Sequence, residues 1–166
     1  AELVEPLLVV RRVLREQIGI LHRRLLVIVR DDEVCRRLMT VPGVGPVVAL
    51  TYRATVDVPA RFRHSKSVGA VFGLTPSKYQ SGESERTGAI SKCGDEVMRV
   101  MLYEAAQIML TRTNKRSWLK AWAMTIARRR GMKKAIVALA RRLAVLMHRI
   151  WVDGTEFLWN REVAAA

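Results

Sequence analysis

Apolar residues recur with a fixed rhythm at the start of the chain. Leu7, Leu14, Leu21 and Ile28 repeat every seven residues, and Val4, Ile18 and Leu25 repeat every seven beside them. That alternating three-and-four spacing predicts a helix over residues 3–34 that carries a coiled-coil seam. Arg11 falls on the seam and Gly19 weakens the helix locally. Such a helix either packs on its own domain or pairs with a partner helix.

The pattern then changes. In "RRLMTVPGVGPVVALTYRATV" a helix should end near Met39, and Pro42-Gly43-Val44-Gly45 should form a tight turn in which both glycines can take positive φ. Pro46 suits the first turn of a new helix. The result is a helix-hairpin-helix pattern. Free N–H groups and a positive dipole end at such a turn suit a DNA phosphate, so Gly43, Val44 and Gly45 are candidate DNA contacts. The alternative is an interhelical turn that touches nothing. Further along, residues 62–72 read as a short helix with Ser65 as its N-cap and Gly73 as its stop. Periodic segments at 95–111, 117–129 and 133–151 predict three more helices, the last two split at Gly131. No convincing strand pattern is present, and residues 75–93 read as a long polar loop. The expected fold is mostly α: a long coiled-coil-like helix at 1–37, then a helical domain built on the helix-hairpin-helix at 38–160. Residues 161–166 should fray.

Composition sharpens this picture. The 166 residues carry a net charge of +14 and half of them are hydrophobic, so the chain can build a core and should meet a polyanion. Between residues 105 and 152 stand twelve Lys or Arg and no acidic residue, which exceeds ordinary solvation of a surface. Arg128, Arg129, Arg130, Lys133 and Lys134 are candidate nucleic-acid contacts within that run, and Lys78 is another outside it. Trp118, Trp122 and Trp151 read as core anchors among these charges rather than as stacking platforms. Cys35 and Cys93 have no ligand-spaced partners and read as reduced thiols. The histidines His22, His64 and His148 lie far apart, and His22 and His148 read as ordinary surface or half-buried helix residues. No metal-ligand spacing, P-loop or membrane-length apolar run is present. A structural role of the ribosomal kind and an anionic membrane surface remain as other partners for so basic a chain.

Chemistry concentrates in "YQSGESERTGAISKCGDEVMR", residues 79–99. Ser77, Ser81, Ser84 and Ser91 stand there among Lys78, Arg86, Lys92 and Arg99. A serine hydroxyl can attack phosphorus when its proton is removed and cations neutralise the oxyanion. Arginine suits that second task because it stays charged and can bind two phosphate oxygens.

The segment "GLTPSKYQSGESERTGAISKCGDEVMR", with "TVPGVGPVVAL" ahead of it, resembles the C-terminal part of the bacterial insertion-sequence transposases of family one-ten, with its relatives one-sixteen and nine-oh-two. The resemblance runs from about residue 38 to 120. It implies an RNA-guided DNA recombinase whose nucleophile is the serine of the Ser-Gly pair, Ser81 here, with Ser84 and Ser91 as rivals. Arg86, Lys92 and Arg99 become candidates for phosphate clamping, on charge and proximity. It further implies DNA and a guide (bridge) RNA as partners, assembly of dimers or larger species through the N-terminal helix, and a cytoplasmic, nucleoid-associated bacterial protein. An acidic RuvC-like domain binding divalent magnesium is expected ahead of these residues and is missing from them. This chain itself is expected to need no cofactor and to hold no metal. The competing expectation is a non-catalytic helix-hairpin-helix module that only grips nucleic acid.

Overall fold

The computed structural model describes residues 4–81 and 84–160, with the backbone alone at 79–81 and 84–87. The tail at 161–166 and Gly82-Glu83 lie outside the described residues. In chain order the elements are α1 (Glu5–Asp31), α2 (Glu33–Leu38), α3 (Pro46–Val56), α4 (Val68–Val71), β1 (Pro76–Ser81), β2 (Ser84–Ile90), α5 (Glu96–Thr111), α6 (Trp118–Arg130) and α7 (Met132–Asp153). Short 3-10 turns at Pro59–Arg61 and Ser65–Ser67 bridge α3 and α4. The fold is mostly α.

Local chemistry explains most of the helix ends. Pro6 near the start of α1 and Pro46 at the start of α3 lose no hydrogen bond there. Asp95 accepts from the Met98 amide at 2.6 Å and so caps α5, which leaves Ser91 no capping role. Ser117 accepts from the Lys120 amide and caps α6. Gly131 (φ +86°) ends α6 and opens α7.

α7 is the centre of the packing. Its buried stripe, Ile136, Leu139, Leu143, Met147 and Ile150, meets α5 and α6, while α2 and α4 also pack against it. Tyr52 ties α3 to α7: it is fully buried, its hydroxyl donates to the Ala144 carbonyl at 2.7 Å, and its ring meets Phe72 edge-on at 5.8 Å. Burial pushes the Tyr52 phenol far above its usual range. Trp118, Trp122 and Trp151 pack partly buried against this core, as expected.

Four sequence expectations need correction. The helix expected over 3–34 stops at Asp31. Asp32 turns extended (ψ 113°), and its carboxylate accepts from the Cys35 amide at 2.8 Å, so α2 begins as a separate helix. Only Gly43 takes positive φ (+84°) in the turn between α2 and α3; Gly45 is extended and serves as the N-cap of α3. Residues 62–72 do not form one helix. Ser65 caps nothing, because its hydroxyl lies 3.0 Å from Nδ1 of His148. That histidine is buried, 2% exposed, with Nε2 3.1 Å from the Pro59 carbonyl and its ring edge-on to Phe62. A carbonyl only accepts, so Nε2 carries a proton. His148 thus holds the irregular segment 59–65 onto α7. Finally, residues 75–93 are not a loop. They form an antiparallel hairpin, β1 with β2, the single sheet among the described residues.

The foot of that hairpin is locked by glycine. A Cβ on Gly94 (φ +128°) would lie 1.9 Å from the Val71 carbonyl oxygen, and one on Gly73 (φ +64°) would meet the backbone of Lys92 and Cys93 at 2.7 Å. Gly43 is as tight, with a Cβ only 2.4 Å from the Ala105 carbonyl oxygen of α5. Gly45 faces open space. Gly43→Ala and Gly94→Ala should therefore each lose more than the roughly 1–3 kcal/mol of a strained backbone. Gly45→Ala, at an N-cap that disfavours Ala but where nothing crowds a Cβ, should cost only about 1 kcal/mol. Urea unfolding of the three variants checks this ordering. The thiols give a second check. Cys93 is exposed, whereas Cys35 is buried, and burial, then the Asp32 carboxylate, push its thiol up to about 11. A thiol reagent at neutral pH should label Cys93 quickly and reach Cys35 only on the timescale of unfolding; equal rates would contradict the packing of α2.

Candidate functional site: a serine hairpin beside a basic cleft

The hairpin rises from a braced foot. The Leu74 amide donates to the Gly69 carbonyl, the Lys92 amide to the Gly73 carbonyl and the Ser91 amide to the Thr75 carbonyl, all between 2.9 and 3.1 Å. Arg99 of α5 reaches into this foot. Its Nη1 donates to the carbonyls of Lys92 (3.0 Å) and Phe72 (3.3 Å), one on each side of the hairpin. Lys92 itself sits at φ +56°, a region a side-chain-bearing residue seldom occupies. Close pairing of two chain segments here explains why the segments "GLTP" and "ISKCG" hold glycine at Gly73 and Gly94.

Ile90 packs against the helical core, and above it the strands pair with each other. The register runs Pro76 with Ile90, then shifts, and continues as Lys78 with Thr87, Tyr79 with Arg86, Gln80 with Glu85 and Ser81 with Ser84. The Ser77 hydroxyl donates to the Ala89 carbonyl at 3.0 Å across the irregular step. Ser81 and Ser84 are thus directly opposed at the far end of the hairpin, with Arg86 two pairs nearer the foot. Five strand steps separate Ser81 from Pro76, about 17 Å of reach. Ser91 and Lys92 lie at the foot, so the structure separates them from Ser81 and Ser84 by the length of a strand.

The basic residues are gathered elsewhere. A cleft of about 1080 Å³ opens between α6, α7 and the foot of the hairpin. Arg130, Lys133 and Lys134 of the charge run line it. Arg128 and Arg129 are exposed at the end of α6 and do not line it. Neither do Gly43, Val44 and Gly45, which pack near α5, with Val44 buried. Sequence reasoning missed Lys66, Arg141, Arg142 and Arg149 as further lining residues. A signal for three of them existed. From Lys134, steps of seven or eight residues reach Arg141 and Arg142 and then Arg149, one side of α7. The stem of Arg141 lies over Gly69, where a Cβ would come within 3.2 Å of it. Arg142 stacks on Trp122 at 4.3 Å and faces Trp118 at 5.2 Å.

Other classes of site are thinly supplied. Among the described residues no three His, Cys, Asp or Glu side chains gather as metal ligands, and no helix is long and apolar enough to cross a membrane.

Comparison with known proteins gives this arrangement a family. The chain is 32% identical over 143 residues to a putative transposase, y4pF/y4sB, of Sinorhizobium fredii, covering 85% of this chain and 37% of that protein. It is 36% identical over 137 residues to the transposase for insertion sequence element IS1111A of Coxiella burnetii, covering 80% and 36%. With the transposase for insertion sequence element IS1328 of Yersinia enterocolitica it shares 31% over 143 residues, covering 86% and 43%. The chain therefore spans about two fifths of the length of these relatives. Residues 35–123, from α2 through the serine hairpin and α5 into α6, match the transposase family IS116/IS110/IS902, and the chain belongs to that family.

Proposed function

We propose that this chain is the serine-bearing DNA recombination domain of an insertion-sequence transposase, with Ser81 as its nucleophile. The observation that supports this reading is the place of Ser81, opposite Ser84 at the far end of a hairpin that is pinned at its foot. In the proposed step the Ser81 hydroxyl oxygen attacks a DNA phosphorus. A serine–phosphorus bond forms as the bond from phosphorus to the 3′ oxygen breaks, and the proton lost by serine ends on the departing 3′ oxygen. The DNA end is held as phosphoserine until a 3′ hydroxyl of the exchanged strand reverses the attack. Arg86, two pairs from Ser81, supplies positive charge to the pentacovalent phosphorus, whereas Lys92 and Arg99 lie at the foot of the hairpin, a strand length away, where Arg99 braces it through the carbonyls of Lys92 and Phe72. Lys78, Arg128, Arg129, Arg130, Lys133 and Lys134 hold the DNA backbone, and the free amides at the start of α3, beside Gly43, Val44 and Gly45, take a phosphate.

In the longer protein a guide RNA directs this chemistry to its target, and magnesium is bound by the acidic RuvC-like domain. The described residues offer no ligand cluster for the metal, so no step above runs through it. The protein acts in the bacterial cytoplasm, on the nucleoid. Helix α1 joins two copies. Leu7, Leu14, Leu21 and Ile28 are 55–68% exposed along a helix in which only Val29 is buried.

Ser81→Ala in the longer protein should abolish covalent attachment to a nicked DNA substrate while leaving DNA affinity within about twofold. An adduct that survives Ser81→Ala and vanishes with Ser84→Ala or Ser91→Ala would overturn the assignment. Binding with no adduct from the parent protein would favour the gripping module instead. For the helix, light scattering of this chain should show dimers or larger species, and Leu14→Lys with Leu21→Lys should return monomers. A parent chain that stays monomeric at high concentration rejects pairing through α1.

A further inference from the structure

The cleft beside the hairpin has two kinds of lining that a duplex does not need together. Arg130, Lys133, Lys134, Arg141 and Arg149 are exposed cations, and Lys66 joins them from the 3-10 turn before α4. Between them lie half-buried apolar side chains, Ile90 from the hairpin foot, Trp122 and Ile126 from α6, and Val137 and Val145 from α7. No acidic side chain lines the cleft among the described residues. A hollow of about 480 Å³, lined by His64, Lys66, Ser67 and Arg149, shares two of its residues with the cleft and extends it. From Lys134 to Arg149 the path along α7 covers about 22 Å.

A duplex meets a protein surface with phosphates and hides its base faces, so it would satisfy the cations and leave the apolar residues wet. An unpaired strand has both parts: a phosphate at every step and a flat apolar base at every step. The Arg142 guanidinium stacked on Trp122 already offers a flat surface of the kind a base covers. The row of cations at helical spacing suits a linear polyanion better than a single anionic headgroup. We infer that this cleft holds one unpaired DNA strand, its bases against Trp122, Ile126, Val137 and Val145 and its phosphates on the cations of α7. The strand would lie at the foot of the hairpin, about 17 Å of strand away from Ser81. This inference rests on the reading of the chain as a DNA-handling domain, but not on the serine chemistry.

The test uses this 166-residue chain and a fluorescent deoxythymidine oligonucleotide of about 12 nucleotides. The unpaired oligonucleotide should bind about tenfold or more tightly than a duplex with the same number of phosphates at the same salt, and should quench tryptophan fluorescence. Trp122→Phe should remove most of that quenching. Lys134→Ala with Arg141→Ala should weaken the strand about tenfold, whereas Arg23→Ala with Arg24→Ala, an equal loss of charge on exposed positions of α1, should change it less than threefold. All four positions are exposed, so the variants should fold. Duplex binding as tight as the single strand, or equal losses from the two double variants, overturns the inference. So does tighter binding of a uridine ribo-oligonucleotide, which would make the cleft an RNA site, or displacement by anionic phospholipid vesicles, which would make it a lipid site. Ser81→Ala should bind the strand like the parent chain. Absence of covalent attachment by the longer protein, together with this strand preference, would sink the serine reading and leave the cleft standing.

Discussion

The architecture depends on the double duty of α7. One side of this helix is buried from Ala135 to Ile150 and supplies the surface on which α2, α4, α5 and α6 assemble. The other side carries Lys133, Lys134, Arg141, Arg142 and Arg149 and forms a wall of the cleft. A cationic stripe on a free helix would repel itself. Here the apolar side anchors the helix, and burial of each large apolar side chain contributes roughly 1.5–3 kcal/mol, so the charges are held in a row in spite of their repulsion. The fixed positions of these cations are thus a product of the core. His148 shows the same economy, since it sits one residue from Arg149 and ties the segment that carries Lys66 to the same helix through Ser65 and Pro59.

The serine hairpin follows a different plan. A lone two-stranded hairpin is marginal in water, and this one is a sheet of two strands only among the described residues. Its order is imposed from the foot, where Gly73 and Gly94 permit a backbone approach that any Cβ would block and Arg99 bonds to both sides. The motif that first marks the chain is therefore largely a fastening. Two of its glycines, Gly73 and Gly94, and its final arginine hold the base, and Ser81 stands at the opposite end.

Helices were legible in the sequence where their signals were local. Pro46, Asp95, Ser117 and Gly131 each act within one turn of their own position, and the elements they bound appear within a few residues of expectation. The hairpin was not legible. Its strands lack the apolar alternation that marks a half-buried strand, and their pairing depends on contacts among Gly69, Gly73, Thr75 and Ser91 that no short window contains. His148 was misread for a similar reason. Its partners lie 83 and 89 residues away, so nothing beside it in the chain signals burial. In the cleft, the charge run showed that cations were abundant, but choosing Arg141 and Arg149 over Arg128 and Arg129 requires knowing which side of α7 the core has taken.

The fastening of the hairpin at its foot has an evolutionary meaning. On the strands Lys78, Gly88 and Ala89 are exposed, so exchanges at such positions are screened by chemistry more than by folding. Positions such as Gly73, Gly94 and Arg99 are under the opposite regime, in which a change is felt throughout the domain before any substrate is met. A lineage can therefore revise the reactive end of such an arm rapidly, for new partners or new rates, while its anchorage stays nearly frozen. The foot sets the pace of structural change, and the far end sets the pace of functional change.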